Sequence, residues 1–177
     1  MKQHFISLVL FFSFLLSGCM PLKQTEVTSP NGHIRLAFAL DGNNRMTYQV
    51  SVGDTVFIAP SLLGFTAKDG VNLAEGFKVI NTDFTTYDET WTQPWGENKT
   101  IRNHYNEMAV HLSDTTNTQL TLRFRIFDDG LGFRYEYEVP GVDSILVTDE
   151  LTAFNIAQDG ISWSIPANYD TYESVSY

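Results

Sequence analysis

From Thr28 onward apolar residues recur at every second position, the period of a strand with one face buried. Ile34, Leu36, Phe38 and Leu40 alternate with Arg35, Ala37 and Ala39, and Met46, Tyr48, Val50 and Val52 alternate with Thr47, Gln49 and Ser51. Asp41-Gly42-Asn43-Asn44 lies between the two runs and supplies turn chemistry, which predicts a β-hairpin. A short strand is expected over Thr55 to Ile58, ended by Ala59-Pro60. Others follow over Leu62 to Ala67 and Phe77 to Phe84. Met108, Val110 and Leu112 alternate with Ala109 and His111, and Leu120, Leu122, Phe124 and Ile126 alternate with Thr121, Arg123 and Arg125. Asp128-Asp129-Gly130 turns the chain, after which Phe133, Tyr135, Tyr137 and Val139 answer Arg134, Glu136 and Glu138. Residues 145–148 and 161–165 complete the predicted strands. No amphipathic helix of useful length interrupts them, so the expected fold is all-β, an antiparallel β-sandwich in one domain over residues 28–177.

The first residues are different in kind. Phe5 to Leu16 is an apolar run broken only by Ser7 and Ser13, too short for a permanent membrane span and fitted to a signal peptide over residues 1–18. Leu16-Ser17-Gly18-Cys19 fits a bacterial lipobox, and Cys19 is the only cysteine. Acylation there would hold the protein on a membrane at roughly 0.8 kcal/mol per buried CH₂. Met20 rather than Asp follows, which points to a lipoprotein of the outer membrane and periplasm in a Gram-negative cell envelope. Residues 19–27 are then expected to be a lipidated tether.

Charge narrows the partners. Without residues 1–18 the chain has ten Lys and Arg against 21 Asp and Glu, a formal −11, so nucleic acid is excluded as a natural ligand. Thirteen Phe, eight Tyr and three Trp supply a core and exclude disorder, and a single Cys excludes a disulfide scaffold. No Ser/His/Asp triad, phosphate loop, zinc spacing or HExxH stands in the sequence.

The longest stretch without strand periodicity is Tyr87 to Asn106, YDETWTQPWGENKTIRNHYN. Trp91 and Trp95 flank Pro94, and Glu97, Arg102 and His104 follow. Indole faces stack on the C–H faces of sugars while polar neighbours bridge hydroxyls; the same Trp residues could equally plug the end of the sandwich or meet a neighbouring domain. His104 with Glu107 and Asn103 could form an acid–base or metal cluster, but alternation sends His104 and Tyr105 to opposite faces, which favours a structural role. Asp128-Asp129-Gly130 lacks the spacing of a calcium loop and is explained by its turn. Asp170 and Glu173 could supply only part of a calcium shell, which takes roughly 6–8 oxygens, and otherwise form a solvated acidic loop.

Several strings together resemble one family. Glu89-Thr90-Trp91, Trp95-Gly96-Glu97, Ile101 through Glu107 (IRNHYNE), Phe124-Arg125, Asp129 through Glu136 (DGLGFRYE), and Ile165-Pro166 with Tyr169-Asp170-Thr171 and Glu173 are similar to the N-terminal domain of glycoside hydrolase family 97, over nearly all of residues 28–177. The resemblance implies a supersandwich of the galactose mutarotase type, leading into a catalytic (β/α)₈ barrel of the same parent protein. It implies hydrolysis of α-linked oligosaccharides, by inversion or retention, with calcium in the active site. Glu173 matches the position that reaches the calcium, and the catalytic carboxylates belong to the barrel. On this reading the chain stops at Tyr177 before the sandwich is complete and is not catalytic alone. A lipid-anchored carbohydrate-binding module and a nonfunctional gene fragment are the alternatives.

Overall fold

The computed structural model describes residues 25–68 and 71–164, and residues 174–176; for 162–164 and 174–176 it describes the backbone alone. Two four-stranded antiparallel sheets face each other. One has the order β1-β2-β3-β4, built from β1 (Thr25–Thr28), β2 (Ile34–Leu40), β3 (Met46–Val52) and β4 (Thr55–Leu62). The other has the order β10-β9-β8-β7, built from β7 (Lys78–Thr92), β8 (Thr100–Ser113), β9 (Gln119–Ile126) and β10 (Leu131–Glu138). A smaller sheet of β5 (Phe65–Ala67), β6 (Asn72–Leu73) and β11 (Val147–Glu150) sits beside β10, and β12 (Ser162–Ser164) pairs with β13 (Ser174–Ser176). This is the expected antiparallel β-sandwich, with no α-helix among the described residues.

The core is the set of positions the alternation predicts. Leu36, Phe38, Met46, Tyr48 and Val50 from the first sheet meet Met108, Val110, Leu112, Leu120, Leu122, Phe124 and Ile126 from the second. Phe38 and Phe124 touch across the interface at 6.2 Å between ring centroids. Each fully buried side chain of this size contributes about 1.5–3 kcal/mol. Tyr48 keeps its ring among Phe133 and Phe154 and donates its hydroxyl to Ala153 O at 2.9 Å; burial pushes its phenol up to about 12. Along β10, Tyr135 and Tyr137 stack and bind the smaller sheet: the Gly64 amide donates to Tyr135 Oη, and Tyr137 donates to Leu73 O. Gly64 stands at φ 128°, where an added Cβ would lie 2.9 Å from Ala74 Cα, so only glycine lets the chain pass there.

Boundaries differ from the sequence reading in several places, among them the expected strand Leu62 to Ala67, which is split at Leu63-Gly64, and three others bear on the site. Residues 25–27 are not tether: Thr25–Thr28 pairs with β2, and Val27 is buried in the core. One inward apolar residue in four gives too little alternation to read. Strand β4 runs through Ala59-Pro60 to Leu62, because it is the edge strand of its sheet and Pro60 falls in the register shift between Val50↔Ile58 and Tyr48↔Ser61, where the ladder with β3 needs no N–H from it. The third difference concerns the Tyr87 to Asn106 stretch, which is strand on both sides of a loop over residues 93–99.

Candidate functional site

Strands β7 and β8 form one long hairpin, in register from Lys78↔Ser113 to Thr92↔Thr100 with one bulge near Val79. Strand β9 joins β8 only from Asn106↔Ile126 to Ser113↔Gln119. The remainder, Tyr87 to Tyr105, therefore extends past the sheet as a two-stranded arm. Strand order here comes from β-branched residues and cross-strand pairs rather than burial, since Thr85, Thr86, Thr90, Thr92 and Thr100 line the ribbon. Residues 93–99 close it. Gln93 donates from Nε2 to Asn98 O at 2.6 Å, and Gly96 at φ 129° passes so close to Gln93 that a Cβ would collide with Nε2.

Alternation sorts the arm into two faces. One carries Tyr87, Glu89 and Trp91 on β7, opposite Tyr105, Asn103 and Ile101 on β8. The other carries Asp88, Thr90, Arg102 and His104. The sequence-predicted site residues thus divide. Trp91 is 47% exposed on the first face. Arg102 and His104 lie on the second, where Arg102 donates from Nε and Nη2 to the two Asp88 carboxylate oxygens at 2.8 and 2.7 Å. Hydrogen bonds from Arg102 hold the Asp88 carboxyl below its usual range. Trp95, 84% exposed, and Glu97 stand in the tip loop. Glu173 and Cys19 lie outside the described residues.

The sequence reading left out the residues that organise the first face. Tyr87 and Tyr105 stack at 5.3 Å and 24°. Behind them, the Arg125 guanidinium lies 4.6 Å from the Tyr105 centroid and Phe127 packs at 5.2 Å. A signal for the pairing did exist: Tyr87 and Tyr105 are equally distant from Gly96, as are Trp91 and Ile101, so a hairpin centred there puts all four on one face.

Below the arm the same sheet face carries a charged cluster. Glu107 is buried between Arg123 Nη1 at 2.5 Å and Arg125 Nε at 2.7 Å. Burial pushes its carboxyl up, but hydrogen bonds from the two arginines outweigh that and hold it low. Glu136 accepts from Arg123 Nε at 3.0 Å and Arg134 Nε at 2.7 Å, and those bonds, the Arg123 one foremost, hold it down to about 2. A glycosidase acid needs the opposite, a raised carboxyl free to donate. These carboxylates are structural.

A groove of about 570 Å³ lies on the open side of the sandwich between the free edges of β1 and β7. Phe38, Leu40 and residues 78–82 line it, without a carboxylate. Nearby Phe84 pairs with Met108, yet is 56% exposed.

A family model described as Glycosyl-hydrolase 97 N-terminal matches residues 27–177. The chain belongs to this family. As a glycoside hydrolase 97 N-terminal domain it is similar to the retaining alpha-galactosidase of Bacteroides thetaiotaomicron, 26% identical over 113 residues that make 64% of this chain and 16% of that protein. A glycoside hydrolase family 97 enzyme from Pseudoalteromonas sp. strain K8, solved in complex with acarbose, superposes with a TM-score of 0.79 at 29% identity, over 86% of this chain and 24% of that one. A variant of that enzyme in complex with panose gives 0.79 at 30% identity. A beta-arabinopyranosidase at 23% identity, with a TM-score of 0.65 over 75% of this chain, shares the fold. The glycoside hydrolase 97 domain therefore spans about a quarter or less of the length of these relatives.

Proposed function

We propose that residues 28–177 are the N-terminal β-sandwich portion of a calcium-dependent α-glycosidase, acting on α-linked oligosaccharides only with the catalytic (β/α)₈ barrel of the same parent protein. The observation that carries this reading is the family match over residues 27–177 together with the 86% overlay on an enzyme solved with acarbose. The carboxylate chemistry agrees: Glu107 and Glu136 are both held ionised by arginines, so hydrolysis needs acids from elsewhere. Trp91, Trp95, Glu97, Arg102 and His104 belong in this reading to the rim of the site and to contacts with the barrel.

Among the described residues no three His, Cys, Asp or Glu side chains converge as a metal site. Those residues do not by themselves fit a calcium ion, which takes roughly 6–8 oxygens. Glu173 is the proposed contribution of this chain, with the other ligands in the barrel, and no catalytic step is derived through the ion. At the other end, residues 1–18 are proposed to direct export and Cys19 to carry the lipid that places the protein on the outer membrane.

The test is direct. The purified chain, incubated with aryl α-glucosides and α-galactosides with and without calcium, is expected to release no aryl alcohol; turnover by the chain alone would overturn the reading. In the parent enzyme, Glu173→Gln is expected to raise the calcium concentration needed for half-maximal activity at least tenfold. In cells fed a labelled fatty acid, Cys19→Ala is expected to abolish incorporation.

The exposed Trp91 and Trp95 favour a second reading, a lipid-anchored carbohydrate-binding module that works without a barrel. Calorimetric titration with maltooligosaccharides separates it from a nonfunctional fragment, which would give no heat.

A further inference from the structure

We infer that the Tyr87–Trp91 face of the β7–β8 arm is an oligosaccharide-binding surface, with Tyr87 and Trp91 as stacking platforms and Glu89 and Asn103 as the hydroxyl-bridging groups between them. Strand geometry sets the spacing. Residues of one face recur every ~6.8 Å along a strand, so the two rings stand about 13 Å apart along β7 with Glu89 midway. Asn103 is the register partner of Glu89. The row thus reads aromatic, polar, aromatic, matching a short chain of sugar rings whose apolar faces and hydroxyl edges alternate.

The platform is also held in place. Tyr105 backs Tyr87, and Tyr105 is itself pinned between Arg125 and Phe127. Arg125 cannot swing away, because Glu107 holds its Nε at 2.7 Å. The neighbouring Glu89 carboxylate pushes the Tyr87 phenol above its ordinary range, which is already that of a neutral donor at neutral pH. Tyr87 remains 39% exposed and Trp91 47%, so both rings offer open surface, and the braced Tyr87 offers it at little entropic cost.

The chemistry of the row selects a neutral glycan. Glu89 puts a carboxylate at the middle of the row, which repels an anionic ligand, and Arg125 behind it is already engaged by Glu107 and Tyr105. An apolar protein surface would strip water from the Glu89 carboxylate and the Asn103 amide without replacing it, whereas sugar hydroxyls donate and accept at both. The opposite face of the arm carries no Phe, Tyr or Trp, and its Asp88 carboxylate is closed by Arg102.

Only the class of ligand rests on the glycosidase reading above. The full chain, titrated with panose by calorimetry, is expected to bind, with Trp91→Ala and Tyr87→Ala each weakening affinity at least tenfold. Thr90→Ala, on the opposite face of the same strand, is expected to change it less than twofold. No heat from the unaltered chain, or equal losses in Thr90→Ala and Trp91→Ala, would overturn the assignment. So would a Trp91→Ala chain that binds normally but melts earlier, because Trp91 would then be a packing residue. If Trp91→Ala does not fold, Trp91→Phe takes its place, with an intermediate affinity expected and an unchanged one counting against the platform. Hydrolysis of aryl glycosides, measured separately, reports on the glycosidase reading, and a barrel requirement there leaves the binding result untouched.

Discussion

The two halves of the β7–β8 hairpin are made from the same pair of strands and differ in almost everything else. From Met108 to Leu112, β8 lies between β7 and β9, and its inward residues are buried against the opposite sheet. From Thr100 to Tyr105, β8 has β7 alone as a neighbour, and of these residues only Tyr105 is buried, outside the core cluster. The first half draws its stability from apolar burial; the second draws its order from backbone pairing, threonines and an aromatic stack braced by Arg125. Burial fixes the fold, and the half without it is free to carry recognition. A structure in which both halves responded alike to mutation would break this division.

The largest effect is expected at the centre of the buried half. Phe124→Ala removes a ring in contact with Phe38 and Phe133 and should cost about 3–5 kcal/mol. For a chain of this size that lowers the thermal midpoint by roughly 6–20 °C. Differential scanning calorimetry checks it, and a shift of only a degree or two would mean that the two sheets are not packed as described.

The charged cluster beneath the arm comes next. Glu107→Ala leaves Arg123 and Arg125 without their shared partner. The cost should be about 2–3 kcal/mol, below the ~3–5 kcal/mol of a fully buried pair, because the two arginine side chains keep 24% and 42% of their surface in water. The same cluster predicts a pH dependence. Glu136 is held to about 2 by Arg123 and Arg134, well below an unperturbed Glu near 4.5. A depressed carboxyl gives stability that is complete above its unfolded value and lost as pH falls toward its folded one. Urea midpoints should therefore fall between about pH 4.5 and about 2, and Glu136→Gln should flatten that slope while lowering the midpoint at neutral pH. A variant with the original slope would place the acid sensitivity elsewhere.

The same division explains what could be read from the sequence. Strands β2, β3, β9 and β10 stand where the period-two pattern puts them, because each presents large apolar side chains on one face to the core and polar or small residues, such as Arg35, Ala37 and Ala39 on β2, on the other. The turn at Asp128-Asp129-Gly130 was equally legible, and the Phe127 amide donates to Gly130 O there at 2.8 Å. The arm was not, since a strand buried on neither face has no reason to alternate apolar and polar residues. Trp91 and Trp95 stood out by composition, but composition does not show that Trp91 shares a face with Tyr87 and Tyr105 while Arg102 and His104 point the other way. That partition depends on register, and the register depends on where the 93–99 loop is centred. Arg125 was hidden for another reason: it comes from β9, a strand whose alternation had already assigned it to a solvated face.

The smallest effect should come from the Asp88–Arg102 pair, and it bears on whether the arm is held by its ion pairs or by its backbone. The guanidinium meets both carboxylate oxygens at 2.7 and 2.8 Å, a geometry that invites a stabilising role. Yet both side chains are about half exposed, so each loses little hydration when separated and salt screens their attraction. A double-mutant cycle of Asp88→Asn and Arg102→Gln should therefore give a coupling that is barely resolved in dilute buffer and gone in 1 M salt. Amide exchange of Glu89 and Asn103 should stay as slow in the double variant as in the unaltered chain, because the strand pairing that sets the two faces does not pass through these charges. Faster exchange confined to the arm would show instead that the ion pair holds the register, and the Tyr87–Trp91 row would then depend on it.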